Sequence, residues 1–326
     1  MGESAVTVIV VPRERFSFVP RSLECLYKET SVPFDLVYVD GGSPERTRRY
    51  LEAEARARGF QLIRSPRYLT PTEARNLGLE QARSKYVVFI DNDVLVSPGW
   101  LGALLRCAEE TGAWLVGPLY CLGEPAFETV HMAGGTAHIE LRDGERWLSE
   151  KHHFPGRPLD EVRQKIGRTP TELVEFHCLL ARTEIFNRLG RLDEGFLSDF
   201  EHLDLCLAVG EAGGAIYLEP EAVVNWVTPP PLTWSDLSYF MLRWSDAWNR
   251  KSLHRFREKW DLPAEDPNGH YEFVTAYRKR ALEPVRRAIR RALGWRRATW
   301  VERHALFPFE EALNRLFIPK RFAQRG

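Results

Sequence analysis

Apolar positions in this chain come in short runs, each closed by a polar or glycine-rich turn. Val6 to Val11 is the first, and Pro12-Arg13-Glu14-Arg15 closes it. Phe34 to Val39 ends in Asp40-Gly41-Gly42-Ser43-Pro44, and Gln61 to Arg64 is a third run. Lys85 to Ile90 ends in Asp91-Asn92-Asp93, and Ala113 to Leu119 is a fifth. Runs this short, rich in β-branched and aromatic residues, predict buried parallel strands. Between them lie stretches of helical spacing: Pro20 to Glu29, Pro44 to about Arg58, Thr70 to Gly78, and Pro98 to Glu110. Ser43 is a good N-cap and Pro44 a good first helical residue. Strand and helix therefore alternate through residues 1–120, which predicts an α/β fold, a parallel sheet with helices on both faces.

The alternation loosens after Cys121. Gly134-Gly135 and Asp143-Gly144 predict turns, with a hairpin from about Thr136 to Trp147. Glu172 to Arg182 resumes as a strand, followed by a short helix to Leu189 and another from Leu203 to Glu211. Ala215 to Leu218 and Ala222 to Val227 read as the last two strands, and Pro229-Pro230-Pro231 as a break. Aromatic helices from Trp234 to Trp260 and a basic tail follow. The pattern divides the chain into residues 1–228, with a first half 1–120 and a second half 121–228, and a helical, basic extension over 229–326.

Composition changes this picture in two ways. The formal net charge is zero, but residues 278–326 hold fourteen Lys/Arg against four Glu, a net of +10. Residues 1–277 therefore carry −10. Within the tail, Leu282, Val285, Ile289 and Leu293 recur at helical spacing, with Arg286, Arg287, Arg290 and Arg291 on the other side. With Pro284 tolerable only in a first turn, that helix should begin near Glu283. It suits an interfacial helix over 282–300 on an anionic membrane surface. No nucleic-acid-binding motif accompanies the charge, so nucleic acid is not expected as a partner. Five scattered cysteines, without a CxxC pair, and no signal-like N-terminus predict a cytoplasmic protein with reduced thiols, peripheral to the membrane at most.

The candidate chemistry sits at the ends of runs. Carboxyl ends of parallel strands converge on one edge, where open α/β sheets bind ligands. Asp91 and Asp93 lie there, and two hard oxygen ligands suit Mg²⁺ or Mn²⁺ carrying a phosphate-bearing substrate. Asp40 ends the second strand and could hydrogen-bond a base or ribose. Arg75 and Asn76 could contact a diphosphate. Asp199, Glu201 and Asp204 form a third acidic group. No glycine-rich loop follows the first strand, which excludes a GxGxxG dinucleotide site and argues against nucleotidyl transfer.

Taken in order, Val6 to Val11, Val39-Asp40-Gly41-Gly42-Ser43, Glu73-Ala74-Arg75-Asn76-Leu77-Gly78 and Val88-Phe89-Ile90-Asp91-Asn92-Asp93 resemble family 2 glycosyltransferases of the GT-A fold. Leu179 to Phe186, Leu189 to Phe196, Phe200-Glu201-His202-Leu203-Asp204-Leu205-Cys206 and Tyr217-Leu218-Glu219-Pro220 extend the likeness to about residue 228. The resemblance implies a mostly parallel, Rossmann-like sheet with a nucleotide-sugar half and an acceptor half. It implies transfer of a sugar, with inversion, from a nucleotide-diphosphate donor to a glycan or lipid-linked acceptor. Asp40 would then read the nucleobase, Arg75 the pyrophosphate, Asp91 the ribose or metal, and Asp93 the metal. Two departures stand out. The family's Glu-Asp pair is Glu201-His202 here, which leaves Glu201, Asp199 or His202 as the base, in that order of preference. The family's late histidine ligand is missing, and Asn225 occupies the region. His131 and His177 are candidates to line an acceptor pocket. A non-catalytic sugar- or nucleotide-binding protein on the same fold is the alternative.

Overall fold

The structure is a computed structural model that describes residues 5–228, 232–263 and 270–322. The Pro229-Pro230-Pro231 break lies outside the described residues. Strands β1 (Val6–Val11), β2 (Asp35–Gly41), β3 (Gln61–Ser65) and β4 (Tyr86–Asp91) form where expected. β1 pairs in parallel with β2 and with β4, and β2 with β3. Every residue of β1 and β4 is buried, which is why neither run alternates in polarity. A three-residue strand, β5 (Val94–Val96), follows β4 directly. Asn92 and Asp93 therefore occupy a tight turn between two strands. Helices α1 (Val19–Glu29), α2 (Glu45–Arg58), α3 (Pro71–Leu79) and α4 (Trp100–Thr111) connect the layers.

The second half contributes β6 (Leu115–Leu122), β7 (Val130–Met132), the hairpin β8 (Gly135–Arg142) and β9 (Glu145–His152), and α5 (Leu159–Arg163). Then come β10 (Thr169–Pro170), β11 (Cys178–Arg182), α6 (Ile185–Leu189), α7 (Glu201–Glu211) and β12 (Ile216–Trp226). The main path of the sheet runs β10-β12-β6-β11-β4-β1-β2-β3. The sheet is mostly rather than wholly parallel: β11 runs antiparallel between β4 and β6, and β10, β5 and β7 also pair antiparallel. The strand expected from Glu172 begins only at Cys178. The two strands expected over residues 215–227 are one, with an irregularity between Glu219 and Val223.

Two local devices set α3 against the sheet. Thr70 and Glu73 form a reciprocal capping box at its start. Near its end, a Cβ on Gly78 would stand 2.3 Å from Ile9 Cγ2. Only glycine allows the helix to press this closely on β1, and Arg75 sits one turn earlier on the same helix.

Beyond the sheet lie α8 (Trp234–Arg243), α9 (Asp246–Trp260), α10 (His270–Arg278), α11 (Glu283–Val301) and α12 (Phe307–Phe322). Phe240, Trp244, Phe256, Trp260 and Tyr277 belong to the same hydrophobic core as β1 and β4. Buried Arg278 pairs with Asp246 and Glu310, tying α10 to α9 and α12. α11 starts at Glu283 and is interrupted at Gly294, where φ is 71°. Arg286 and Arg290 turn inward onto Glu302, while Val285 and Leu293 are exposed. The separation of an apolar stripe from a basic one is thus only partial. Among the described residues no helix is long and apolar enough to cross a membrane, and all five cysteines are free.

Candidate active site

β4 delivers Asp91 to the carboxyl edge of the sheet, where it is buried. Arg75 of α3 donates from Nη2 to Asp91 Oδ1 at 2.9 Å and from Nη1 to Glu201 Oε1 at 3.0 Å. Arg13, in the loop after β1, donates to Asp91 Oδ2 at 3.2 Å, and His177 Nδ1 lies 3.3 Å from the same oxygen. Burial opposes ionisation of Asp91, but Arg13, His177 and Arg75 outweigh it and hold its carboxyl well below the usual range. Arg75 has no exposed surface and lies over the Phe176 ring, 4.0 Å from its centroid. Its guanidinium is committed to two carboxylates. Sequence reasoning set it against a diphosphate; here Nη1 and Nη2 are taken by carboxylates, and the side chain links β4 to the start of α7.

Asp93 is different. Both its carboxylate oxygens are buried and lack a hydrogen-bond partner among the described residues. Glu14 lies nearby, fully buried, with Oε2 accepting from Tyr277 at 2.9 Å and Oε1 without a hydrogen bond, 3.7 Å from Arg13 Nε. Burial and then the Glu14 charge push the Asp93 carboxyl up to about 8. Two buried acids with open lone pairs and mutual repulsion fit a divalent cation, which prefers such hard oxygen donors. Asp91, with its oxygens spent on Arg75 and Arg13, fits that role less well than Asp93.

Asp40 ends β2 and is buried, with Oδ1 accepting from Ser43 N and Oδ2 from Arg64 Nε. Asn76 faces away from this edge. Its amide binds Leu192 in both directions and also donates to Glu194. Asn225 is spent as well, donating to Gly123 O and accepting from Phe127 N. Both amides are thus held by protein partners.

Next to Asp91 opens a cavity of about 370 Å³, walled by the β8–β9 hairpin, the start of α7, and α9 and α10. Asp199, Glu201 and His202 line it together. Phe200 makes this possible: at φ 74° it is a non-glycine residue in the left-handed region. Its ring stacks on Phe256 of α9 at 4.9 Å, which holds the turn that presents its neighbours. Glu201 Oε2 is buried and unpartnered, whereas Oε1 faces Arg75. His202 Nδ1 stands 3.8 Å from Asp199 Oδ1. Asp204 points elsewhere, accepting from Lys259 and Trp260.

His131 and His177 do border the cavity, and they are joined by Glu175 and by His152, whose pair with His153 reads from the sequence as a solvated loop. His131 Nε2 lies 3.1 Å from Glu175 Oε2, His152 Nε2 3.5 Å from Oε1, and His177 Nε2 3.6 Å from Oε2. Burial and then the Arg13 charge lower His177 to about 4, so its ring is neutral near pH 7. Trp226 stacks on His177 at 4.4 Å, and the Arg13 guanidinium lies over the indole. Arg13, Glu14 and Tyr277 were also missed. The signal for the first two was present: a charged triplet directly after a buried strand belongs to the same edge as the Asp-x-Asp. Nothing in the sequence near Tyr277 announces its contact, which spans 263 residues.

The sequence profile described as "Glycosyl transferase family 2" matches residues 7–189. A pre-mycofactocin glycosyltransferase of Mycobacterium tuberculosis is 25% identical over 224 residues, 67% of this chain and 42% of the relative. The chain thus spans less than half the length of the curated relatives it matches first. Among solved structures, GalNAc-T7 with UDP, GalNAc and Mn²⁺ superposes with a TM-score of 0.55 at 17% identity, over 88% of this chain and 57% of that one. The mannosyltransferase PcManGT of Pyrobaculum calidifontis, in complex with GDP-Man and Mn²⁺, gives 0.52 at 16%, over 97% and 85%. These two likenesses establish a shared fold, the GT-A arrangement. The profile match covers more than half of the chain, and the chain belongs to glycosyltransferase family 2.

Proposed function

We propose that this protein transfers a sugar from a nucleotide-diphosphate donor to an acceptor hydroxyl, in one displacement with inversion. The observation that carries the reading is Asp93, a buried carboxylate with two unpartnered oxygens at the edge where this fold takes its donor. Asp93 and Glu14 would hold Mg²⁺ or Mn²⁺. Such an ion, when bound, offsets the negative charge that the departing diphosphate develops. Asp40 would face the nucleobase and ribose, and Arg13 and Arg15 would add positive charge beside the phosphates.

Glu201 is the base in this reading. Arg75 takes only Oε1, so Oε2 keeps its lone pairs unengaged, and Glu201 lines the cavity. The acceptor hydroxyl gives its proton to that oxygen as its own oxygen bonds to the anomeric carbon. The bond from that carbon to the diphosphate oxygen breaks in the same step. Asp199 and His202 would orient the acceptor. The acceptor is a glycan or lipid-linked glycan, reached at the cytoplasmic face of a membrane. Exposed Trp295, Trp300 and Leu293 beside the basic residues of α11 support that placement.

Isothermal titration with UDP and GDP in the presence of Mn²⁺, followed by donor hydrolysis and transfer assays, tests the reading. Metal-dependent nucleotide binding is expected, and Asp93→Asn should abolish it. Full transfer activity in Asp93→Asn would sink the metal assignment. Binding without turnover of any donor would favour a non-catalytic binding protein.

A further inference from the structure

Three imidazoles converge on one carboxylate, Glu175, in the lining of the cavity. His131 comes from the middle of β7, His152 from the end of β9, and Glu175 and His177 from the segment that leaves the ladder before β11. His131, His152 and Glu175 lie 21 to 44 residues apart in sequence, so only the fold unites them. All three rings present Nε2 to Glu175, at 3.1 to 3.6 Å. Four ligands around tetrahedral zinc, each at about 2.0–2.1 Å, stand roughly 3.3 Å from one another. The spacings of His131 and His152 to the Glu175 carboxylate, 3.1 and 3.5 Å, lie near that separation. Ligand atoms of His131, His152 and Glu175 all lie within 4.8 Å of one another.

We propose that His131, His152 and Glu175 form a transition-metal site of the Zn²⁺ or Co²⁺ class, with its fourth position open to the cavity. Two imidazoles and one carboxylate favour those ions over Mg²⁺, which demands oxygen donors. Three protein ligands with one open position is the arrangement of catalytic rather than structural zinc. His177 is a positioning residue. Its Nε2 lies 3.6 Å from Glu175 and its Nδ1 3.3 Å from Asp91, so it stands behind the ligand Glu175 as an outer-shell partner. The site thereby touches the donor edge through one ring. The open position would take an oxygen of the acceptor, a hydroxyl or a carboxylate, and make a coordinated hydroxyl easier to deprotonate. That role rests on the transferase reading; the binding itself does not.

The experiment strips the full-length protein with chelator, then titrates Co²⁺ alone and follows its visible spectrum. Stoichiometric binding with the intense bands of a four-coordinate site is expected. His131→Ala and His152→Ala should each lose those bands, and His177→Ala should weaken binding by about tenfold to a hundredfold. Asp93→Asn should leave the bands unchanged. Melting curves identify any variant that fails to fold; His152, partly exposed on the hairpin end, is the safer substitution. Absence of stoichiometric Co²⁺ binding overturns the proposal. So does binding that survives His152→Ala but vanishes in Asp93→Asn, which would put the ion at the aspartate edge. Failure of transfer with every donor would count against the proposed function and leave these bands in place.

Discussion

Arg75 holds one charge between two carboxylates that come from opposite halves of the chain, Asp91 of β4 and Glu201 of α7. A buried guanidinium is suited to this, because its planar fork serves two acceptors at fixed angles. The pairing leaves each acid with a different remainder. Asp91 is further saturated by Arg13, while Glu201 keeps one oxygen open. Glu201→Gln keeps the shape and removes the proton acceptor. Transfer should fall by about 10²–10⁴-fold, the usual share of general base catalysis. Nucleotide binding by calorimetry should be unaffected. If His202→Ala causes that loss and Glu201→Gln does not, the base is the imidazole.

At the scale of elements, α3 shows how a cap, a glycine and a site residue are coupled. Glu73 accepts from Thr70 N at 2.9 Å and from Arg67 at 2.7 Å. Burial works against its ionised form, but the Arg67 and Thr70 hydrogen bonds win and lower its pKa from 4.5. A depressed carboxyl stabilises the fold above its unfolded value and ceases to do so as pH falls through the folded value. Glu73→Ala should therefore cost about 1 kcal/mol near pH 7, mostly the cap, since the half-exposed Arg67 pair is screened. Urea unfolding of both proteins should show that gap narrowing as pH drops below about 4.5. β1, β4 and the acids after β4 were legible because strands buried on both faces leave unbroken apolar runs. β5 was not, since three apolar residues specify no period. Residues 172–177 misled in the opposite sense. Leu173, Val174 and Phe176 are buried core residues, so the stretch reads as strand although the chain there leaves the ladder. The site was legible where strand ends define it, at Asp91 and Asp93. It was illegible where segments distant in sequence meet, as at Glu14 with Tyr277 and His131 with Glu175.

Over the whole molecule, charge is segregated, with a net of +10 beyond residue 277. Arg287, Arg291, Arg296, Arg297 and Arg303 are exposed along α11 and just past it, with Trp295 and Trp300 exposed among them. Each such charge near an anionic leaflet contributes about 1 kcal/mol, and interfacial tryptophans add anchorage. Sedimentation with phosphatidylglycerol vesicles should carry the protein down at low salt. The double substitution Trp295→Ala, Trp300→Ala should reduce that fraction by roughly tenfold. Equal binding to neutral vesicles, insensitive to salt, would remove the lipid assignment. The stacking of Phe200 on Phe256 has a wider consequence. A residue held in the left-handed region costs about 1–3 kcal/mol, and here the element that opposes the cost belongs to α9, well past the sheet. The helices after residue 232 are therefore not a cassette that could be exchanged among relatives at will. Any graft at that junction would have to bring along a ring matched to the turn before α7, so the two ends of this protein are expected to change together or not at all.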